Sequence, residues 1–529
     1  MPTEQEQGSA GDPPGFVARH RAAIASASVW SVAYAVLWAS GQRFSTEYLT
    51  YGWQLVPFET LRDDPFGSVW YLHTQPPLWN LVIGVVARWS WFAPAISLQL
   101  VFAVLGIALA GTLAELARRL GATNALAVGA SLVAMLNTEV VAMFFTPQYE
   151  MPVALALALI ATVLATPAVR WSARHLVAVV VLGTGVVMTR ALFHPLWLMA
   201  LVVLVLLARR IPIRSGVVLA TLAVPIVVVG GWMFKNEVLY DRFTLSTWTG
   251  MNLQRAVLPV LPQEELDRLV ADGDLSMVSE VGAFANWADY APYVDACPPT
   301  KSHPAVSEPT WPTPIEAFGF QIVVANFNYE CYLSAYDQAG HDAWWVTRHR
   351  PGVWWEGRMW AARSWFTMNP TIAESPSAPM RALGTLGRVA RLEVPVRMDT
   401  SGWNAPLFGP VDARDIPAQN LSLTMVLATL VVVANGAAHV VGIGRRRKAG
   451  SVPAVTGGAL ASIFVTFVLG WTYLVGVAGE LGEQARFRTM TDPLVVVVAI
   501  VVVGDLVRRR RARTRRAASD DGQLVASDA

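Results

Sequence analysis

Residues 215 to 234 read SGVVLATLAVPIVVVGGWMF, and this stretch decides the fold class. It carries no charged side chain, and Val, Leu and Ile fall on every face that a helix would present. Twenty residues of helix rise about 30 Å, the thickness of a bilayer's hydrocarbon core. A helix of a soluble bundle would keep one polar face instead. Comparable apolar runs lie near residues 21–39, 97–117, 122–138, 150–168, 175–193, 195–208, 421–441, 454–478 and 490–506. The chain of 529 residues is 54% hydrophobic and only 15% charged, against roughly 25% charged in an ordinary soluble domain. These features predict an all-α polytopic membrane protein with about ten crossings. Counting the short piece PPLWNLVIGVVARWSW, residues 76–91, would make eleven and put the termini on opposite sides; it reads as a short or re-entrant helix.

The net charge of +2 conceals its distribution. Arg118–Arg119, Arg209–Arg210, RRRK at 445–448 and RRRRARTRR at 508–516 stand at the ends of apolar runs. The excess of Lys and Arg in cytoplasmic loops makes these ends cytoplasmic, so they serve as orientation signals and contacts to anionic lipids rather than as a nucleic-acid surface. This predicts a multi-pass plasma-membrane protein with both termini cytoplasmic. Residues 1–19 are polar and read as a cytoplasmic tail, 20–234 as a first membrane region, 235–420 as an extracytoplasmic domain, 421–506 as the last membrane helices and 507–529 as a basic tail.

Two segments fall on the outer side. The first loop, residues 40–76, is polar and aromatic, and the run STEYLTYGWQLVPFETLRDDPFGSVWYLHTQPPLWN spans 45–80. The second, 235–420, gathers Trp and Pro, as in HDAWWVTRHRPGVWWEGRMWAARSWF at 341–366, and is expected to form a mainly helical cap whose indoles suit a membrane interface. Both cysteines of the chain, Cys297 and Cys331, lie in this segment. On an oxidising side they are a disulfide candidate; the alternative is two separate buried thiols. No Cys/His cluster offers a zinc site, and neither a GxxxxGK phosphate loop nor a GxSxG elbow occurs.

Several patterns together resemble the GT-C superfamily of polyprenyl-phosphate-sugar-dependent glycosyltransferases, in the branch of protein O-mannosyltransferases and aminoarabinose transferases. They are TEYLTY followed by HTQPPLWNL in the first loop, GGWMFKNEVLYDRFTLSTWTGMNLQRA at 230–256, and EQARFRTMTDPLVVV at 483–497. PQYEMP at 147–152 and RHRPGVWWEGRMW at 348–360 fit more loosely. The resemblance implies a GT-C-like membrane fold, a lipid-linked sugar donor, an extracytoplasmic glycan, lipid or protein acceptor, and an acid of the first loop, Glu47, as catalytic base. This chain has Thr46–Glu47 where an Asp–Glu pair or lone Asp is typical, and it sets His73 farther from its prolines, so donor and acceptor identity do not carry over.

The chemistry asks for the same parts. A leaving phosphate is a weak base and needs no general acid, whereas the acceptor hydroxyl needs a carboxylate and the phosphate needs cations. The candidate catalytic acids are Glu47, Asp63 and Asp64; the candidate binding groups are Tyr51, His73, Glu150, Arg190, His194, Lys235 and Arg486. Each has a plainer reading. Asp63 and Asp64 suit the end of a surface helix before Pro65, His194 suits a cap before Pro195, His73 suits a loop hydrogen bond, and Arg486 suits an interfacial anchor. Arg190 interrupts an apolar run, where an unpaired guanidinium is costly, and Glu139 or Glu150 would be its partner. A divalent cation is left open. A transporter or flippase is the alternative of another class, although internal repeats expected of many transporters are not evident; a polymerase using a lipid-diphosphate donor is the nearest enzymatic alternative.

Overall fold

A computed structural model describes residues 15–52, 54–211, 216–295, 297, 300–310, 315–317, 320–367, 378–396, 403–404, 419–448 and 455–527. Among the described residues the protein is helical nearly throughout, and its strands form two short antiparallel pairs, Ile315–Ala317 with Phe320–Ile322 and Glu393–Val396 with Gln419–Ser422. Among the described residues, five helices are long and apolar enough to cross a membrane: Arg21–Ala39, Pro94–Arg119, Gly216–Tyr240, Leu423–Arg446 and Gly457–Gly479. Val104, Ile226, Val227, Leu427 and Leu474 on these helices are more than half exposed, an apolar surface suited to lipid.

The other apolar runs also become helices, but shorter ones. Leu78–Trp89, Asn124–Met135, Glu150–Leu164, Ala173–Thr189 and Pro195–Arg209 have 10–17 residues each. Among the described residues the expected ten or eleven apolar runs appear as five long and five shorter apolar helices, followed by Asp492–Ser527 with its apolar first half. The chain itself sets the limits. Pro167 follows the helix that ends at Leu164, and the helix of the run 175–193 ends at Thr189, before Arg190. The ambiguous piece at 76–91 is the helix Leu78–Trp89, about 18 Å long at 1.5 Å per residue. The helix begun at Gly216 passes through a π turn at Ile226–Gly230 and runs on to Tyr240, five residues past the expected boundary at 235.

One end of the bundle is held by arginines that take up the unsatisfied carbonyls of helix ends. Arg209 Nη2 donates to the carbonyls of Leu164 and Thr166, each at 2.8 Å, and its Nη1 to that of Val455 at 3.3 Å. Arg119 Nη1 donates to the Thr162 carbonyl at 2.9 Å, and Arg508 Nη2 to the Gly121 carbonyl at 3.2 Å. The opposite end carries the described residues of 241–367, a mainly helical layer with its own aromatic core around Trp248, Tyr290, Phe327, Tyr332 and Tyr336. Cys297 and Cys331 are bonded at the edge of this core, with their Cα atoms 5.5 Å apart. The helix Thr249–Val257 crosses Tyr332–His349 at Gly250, where any Cβ would meet the Tyr336 carbonyl oxygen at 1.9 Å. Only glycine permits that approach.

Candidate active site

At the end remote from the arginine collar, three parts of the chain converge on a cavity of about 200 Å³. The first loop contributes Gln54 and Gln75; the membrane helices and the turns at their ends contribute Tyr149, Arg190, Glu480, Glu483 and Phe487; the layer above contributes Ser246, Trp248, Asn252 and Arg255. The volume lies below the roughly 300–1,000 Å³ of sites for drug-sized ligands, which suits one small polar head rather than a whole lipid.

Behind the wall of the cavity lies a buried ionic cluster. Glu150, in the first turn of its helix, is fully buried, and its Oε1 accepts from Arg190 Nη1 at 2.5 Å and from Arg486 Nε at 2.8 Å. Its Oε2 has no hydrogen-bond partner among the described residues. Arg190 follows the last helical residue, Thr189, and its guanidinium lies 4.6 Å from the Tyr149 ring and 4.5 Å from the Phe487 ring. Arg486 also donates from Nη1 to Glu483 Oε1 at 3.3 Å and from Nη2 to the Tyr48 hydroxyl at 3.4 Å; that hydroxyl donates to Gln54 Oε1. Burial raises the Tyr48 phenol well above its ordinary range, so it stays protonated and able to donate. The first loop is thereby joined to the turn before the last helix.

The remaining carboxylates of the cavity differ from each other. Burial opposes ionisation of Glu483, but Arg486, Arg255 and Arg190 outweigh it and hold its carboxyl below the usual range. Glu480 accepts from the Leu481 backbone N–H at 2.9 Å and lies 3.6 Å from Arg255 Nε. Burial pushes its carboxyl up to about 7, with Arg255 opposing and Glu483 reinforcing the shift.

Of the residues singled out in the sequence, Glu150, Arg190 and Arg486 come together, and the others whose side chains are described do not join them. Glu47 is exposed in the first turn of Glu47–Tyr51 and does not line the cavity. Asp63 is exposed and pairs with its neighbour Arg62 at 3.1 Å. Asp64 caps the helix Pro65–Trp70, accepting from the Gly67 N–H at 3.0 Å, with His303 Nε2 at 3.5 Å. His73 is buried between Thr247 Oγ1, 2.7 Å from Nδ1, and the Asn328 carbonyl, 3.0 Å from Nε2. Burial and the nearby Lys235 charge lower its pKa to about 3, so it is a neutral clamp, not a cation for phosphate. Lys235 donates to the Leu72 carbonyl at 2.6 Å and stacks 3.9 Å from Trp232. His194 is exposed and caps its helix by accepting from the Leu196 N–H at 3.3 Å. Glu139 pairs with Arg488 rather than Arg190. The Tyr51 side chain lies outside the described residues.

Sequence reasoning passed over Tyr48, Gln54, Arg255 and Glu480. Tyr48 was within reach, since it adjoins Glu47 in the first loop; Arg255 and Glu480 are ordinary interfacial charges until the fold brings them together. Among the described residues, no group of three or more His, Cys, Asp or Glu side chains is arranged to hold a metal ion.

No protein-family model matches the sequence, and no curated protein is significantly similar to it. Among solved structures, the apo oligosaccharyltransferase of Archaeoglobus fulgidus is similar over 94% of this chain at 13% identity and a TM-score of 0.37. The alignment covers 52% of that structure, so the chain spans about half the length of the protein it matches. At this TM-score the likeness is too distant to assign either a fold family or an activity.

Proposed function

We propose that the protein is a membrane-embedded glycosyltransferase of the GT-C type that moves a sugar from a polyprenyl-phosphate donor to an extracytoplasmic glycan, lipid or protein acceptor. The observation that supports this reading is the cavity at the end of the bundle remote from the arginine collar, walled by both guanidinium and carboxylate groups. The arginine-rich ends are cytoplasmic in this reading, which puts both termini inside, the cavity outside, and residues 241–367 over it as a cap. A lipid-linked donor brings its phosphate to this depth from within the bilayer, so no nucleotide site is needed.

Arg190 and Arg255 face the position where the leaving phosphate develops charge, and a preorganised cation there is worth far more than in water. A carboxylate accepts the proton of the incoming hydroxyl. Glu47 is the candidate offered by the first loop; Glu480 and Glu483 are those that line the cavity.

The test is to reconstitute the full chain in lipid vesicles with a panel of polyprenyl-phosphate sugars and an acceptor extract, and to follow donor consumption. Consumption of one donor with release of polyprenyl phosphate is expected. Movement of an intact donor between leaflets, without consumption, would establish the flippase alternative. Consumption of a diphosphate-linked donor alone would establish the polymerase one.

A further inference from the structure

The geometry points to Glu480 as the carboxylate that takes the proton from the acceptor hydroxyl, an assignment that rests on the transfer reaction proposed above. Glu480 and Glu483 are the acids that line the cavity among the described residues. Glu483 is engaged by Arg486 at 3.3 Å. Glu150 directs Oε1 at two arginines and lies outside the lining. The acids of the first loop do not reach the cavity: Asp63 meets Arg62, Asp64 caps its helix, and Glu47 is exposed. A general base must be within hydrogen-bond reach of the proton it removes, and Glu480 meets that condition for an acceptor entering the cavity.

Glu480 is also held in place. It follows Gly479, the last residue of its helix, and is 6% exposed. The Leu481 N–H fixes one carboxylate oxygen at 2.9 Å. Arg358, on the helix Pro351–Ser364, donates from Nη2 to the Ala256 carbonyl at 2.5 Å and from Nη1 to the Ala478 carbonyl. It thus ties the helix end that carries Arg255 to the helix end that carries Glu480. The charged groups facing Glu480 are Arg255 from the layer above, Arg358 from the next helix and Glu483 from its own turn. Two cations against one competing anion let the carboxylate ionise, while burial keeps it basic enough to accept a proton.

In the reaction, the acceptor O–H bond breaks and its proton passes to the Glu480 carboxylate. The acceptor oxygen bonds to the anomeric carbon of the sugar. The bond from that carbon to the phosphate oxygen breaks, and polyprenyl phosphate leaves with the electron pair. The singly charged phosphodiester becomes a doubly charged monoester while Glu480 becomes neutral, so charge balances, and Arg190 and Arg255 face the anion that grows.

The experiment uses the full chain in vesicles and whichever polyprenyl-phosphate sugar the wild type consumes, with turnover measured from about pH 5.5 to 8.5 for the wild type, Glu480→Gln and Glu480→Asp. Wild-type kcat/KM, which reports the free enzyme, should rise with pH through a midpoint near 7. Glu480→Gln should lower kcat by roughly a hundredfold or more and abolish that limb, with KM for the donor little changed, as removal of a proton acceptor requires. Glu480→Asp should recover part of the rate and retain a displaced limb. A Gln variant with the wild-type rate and limb overturns the assignment while leaving the transferase reading in place. If the Gln variant does not fold, the Asp variant decides, and an undisplaced limb overturns the assignment. If the folded wild type consumes no donor at all, the transferase reading falls and the assignment with it.

Discussion

Arg486 and Arg488 stand two residues apart on the short helix Gln484–Thr489, yet they serve two different buried clusters. Arg488 is enclosed on all sides: it meets Glu139 Oε2 at 2.5 Å and Asp492 Oδ2 at 3.0 Å, and donates to the carbonyls of Trp365 and Thr367 at 2.7 and 2.9 Å. Arg486 shares Glu150 with Arg190, and that carboxylate keeps an oxygen without a partner among the described residues, beside the cavity wall. A cluster whose donors and acceptors are all matched holds a fold together. One that leaves a buried oxygen unmatched costs stability, and such a cost is expected where a structure serves a function.

The difference can be tested by removing one member from each. Arg488→Ala strands Glu139 and Asp492 without their shared cation, and breaking a buried pair in this way costs about 3–5 kcal/mol. The variant should be recovered poorly from the membrane and melt early in detergent, with any folded remainder turning over normally per molecule. Normal melting would remove the structural reading of this cluster.

Arg190→Ala should do less to the fold and more to the chemistry. Arg486 still neutralises Glu150, so the stability loss falls nearer the ~1–3 kcal/mol of an unsatisfied buried group. Turnover of the folded protein should fall steeply, because a cation of the cavity wall is gone. Equal effects of Arg190→Ala and Arg488→Ala on turnover per folded molecule would erase the contrast between the clusters.

A carboxylate of the cavity itself is read through the pH dependence of melting. A group whose folded pKa lies above its unfolded value contributes stability that is complete below the unfolded pKa and is lost as pH rises through the folded one. For Glu480 that window runs from about 4.5 to about 7. Thermal melting of the wild type across this window should therefore decline more than that of Glu480→Gln, which carries no titrating group there. Parallel curves would show that Glu480 is not held in its buried environment.

A guanidinium amid apolar residues must find a carboxylate, and that physical requirement singles out Arg190 and leaves Glu139 or Glu150 as its partner; the fold chooses Glu150. The helical nature of the chain followed from apolar runs, but their lengths did not, because a run such as 150–168 includes Thr166 and Pro167 where the helix has already ended at Leu164. The acids of the first loop are ambiguous for a physical reason. Asp64 before a proline and Asp63 beside an arginine can satisfy themselves locally, and no spacing rule distinguishes that from a carboxylate reserved for substrate. Arg255 and Glu480 were invisible because the 3.6 Å between them depends on two helix ends pinned together by Arg358, a contact between segments far apart in the chain.

The clamp on His73 has a consequence for the order of assembly. Its backbone N–H is taken by Asn328, 255 residues later, and Tyr48 meets Arg486 across 438 residues. At roughly 5–20 residues per second of synthesis, the first loop waits on the order of 10–50 s for Asn328 and longer still for Arg486. Throughout that interval it stands outside the bilayer with its future partners unmade. The cavity therefore closes only after its last lining residues, Glu483 and Phe487, have been made, and a chain stalled before residue 486 would display the loop without its Arg486 contact.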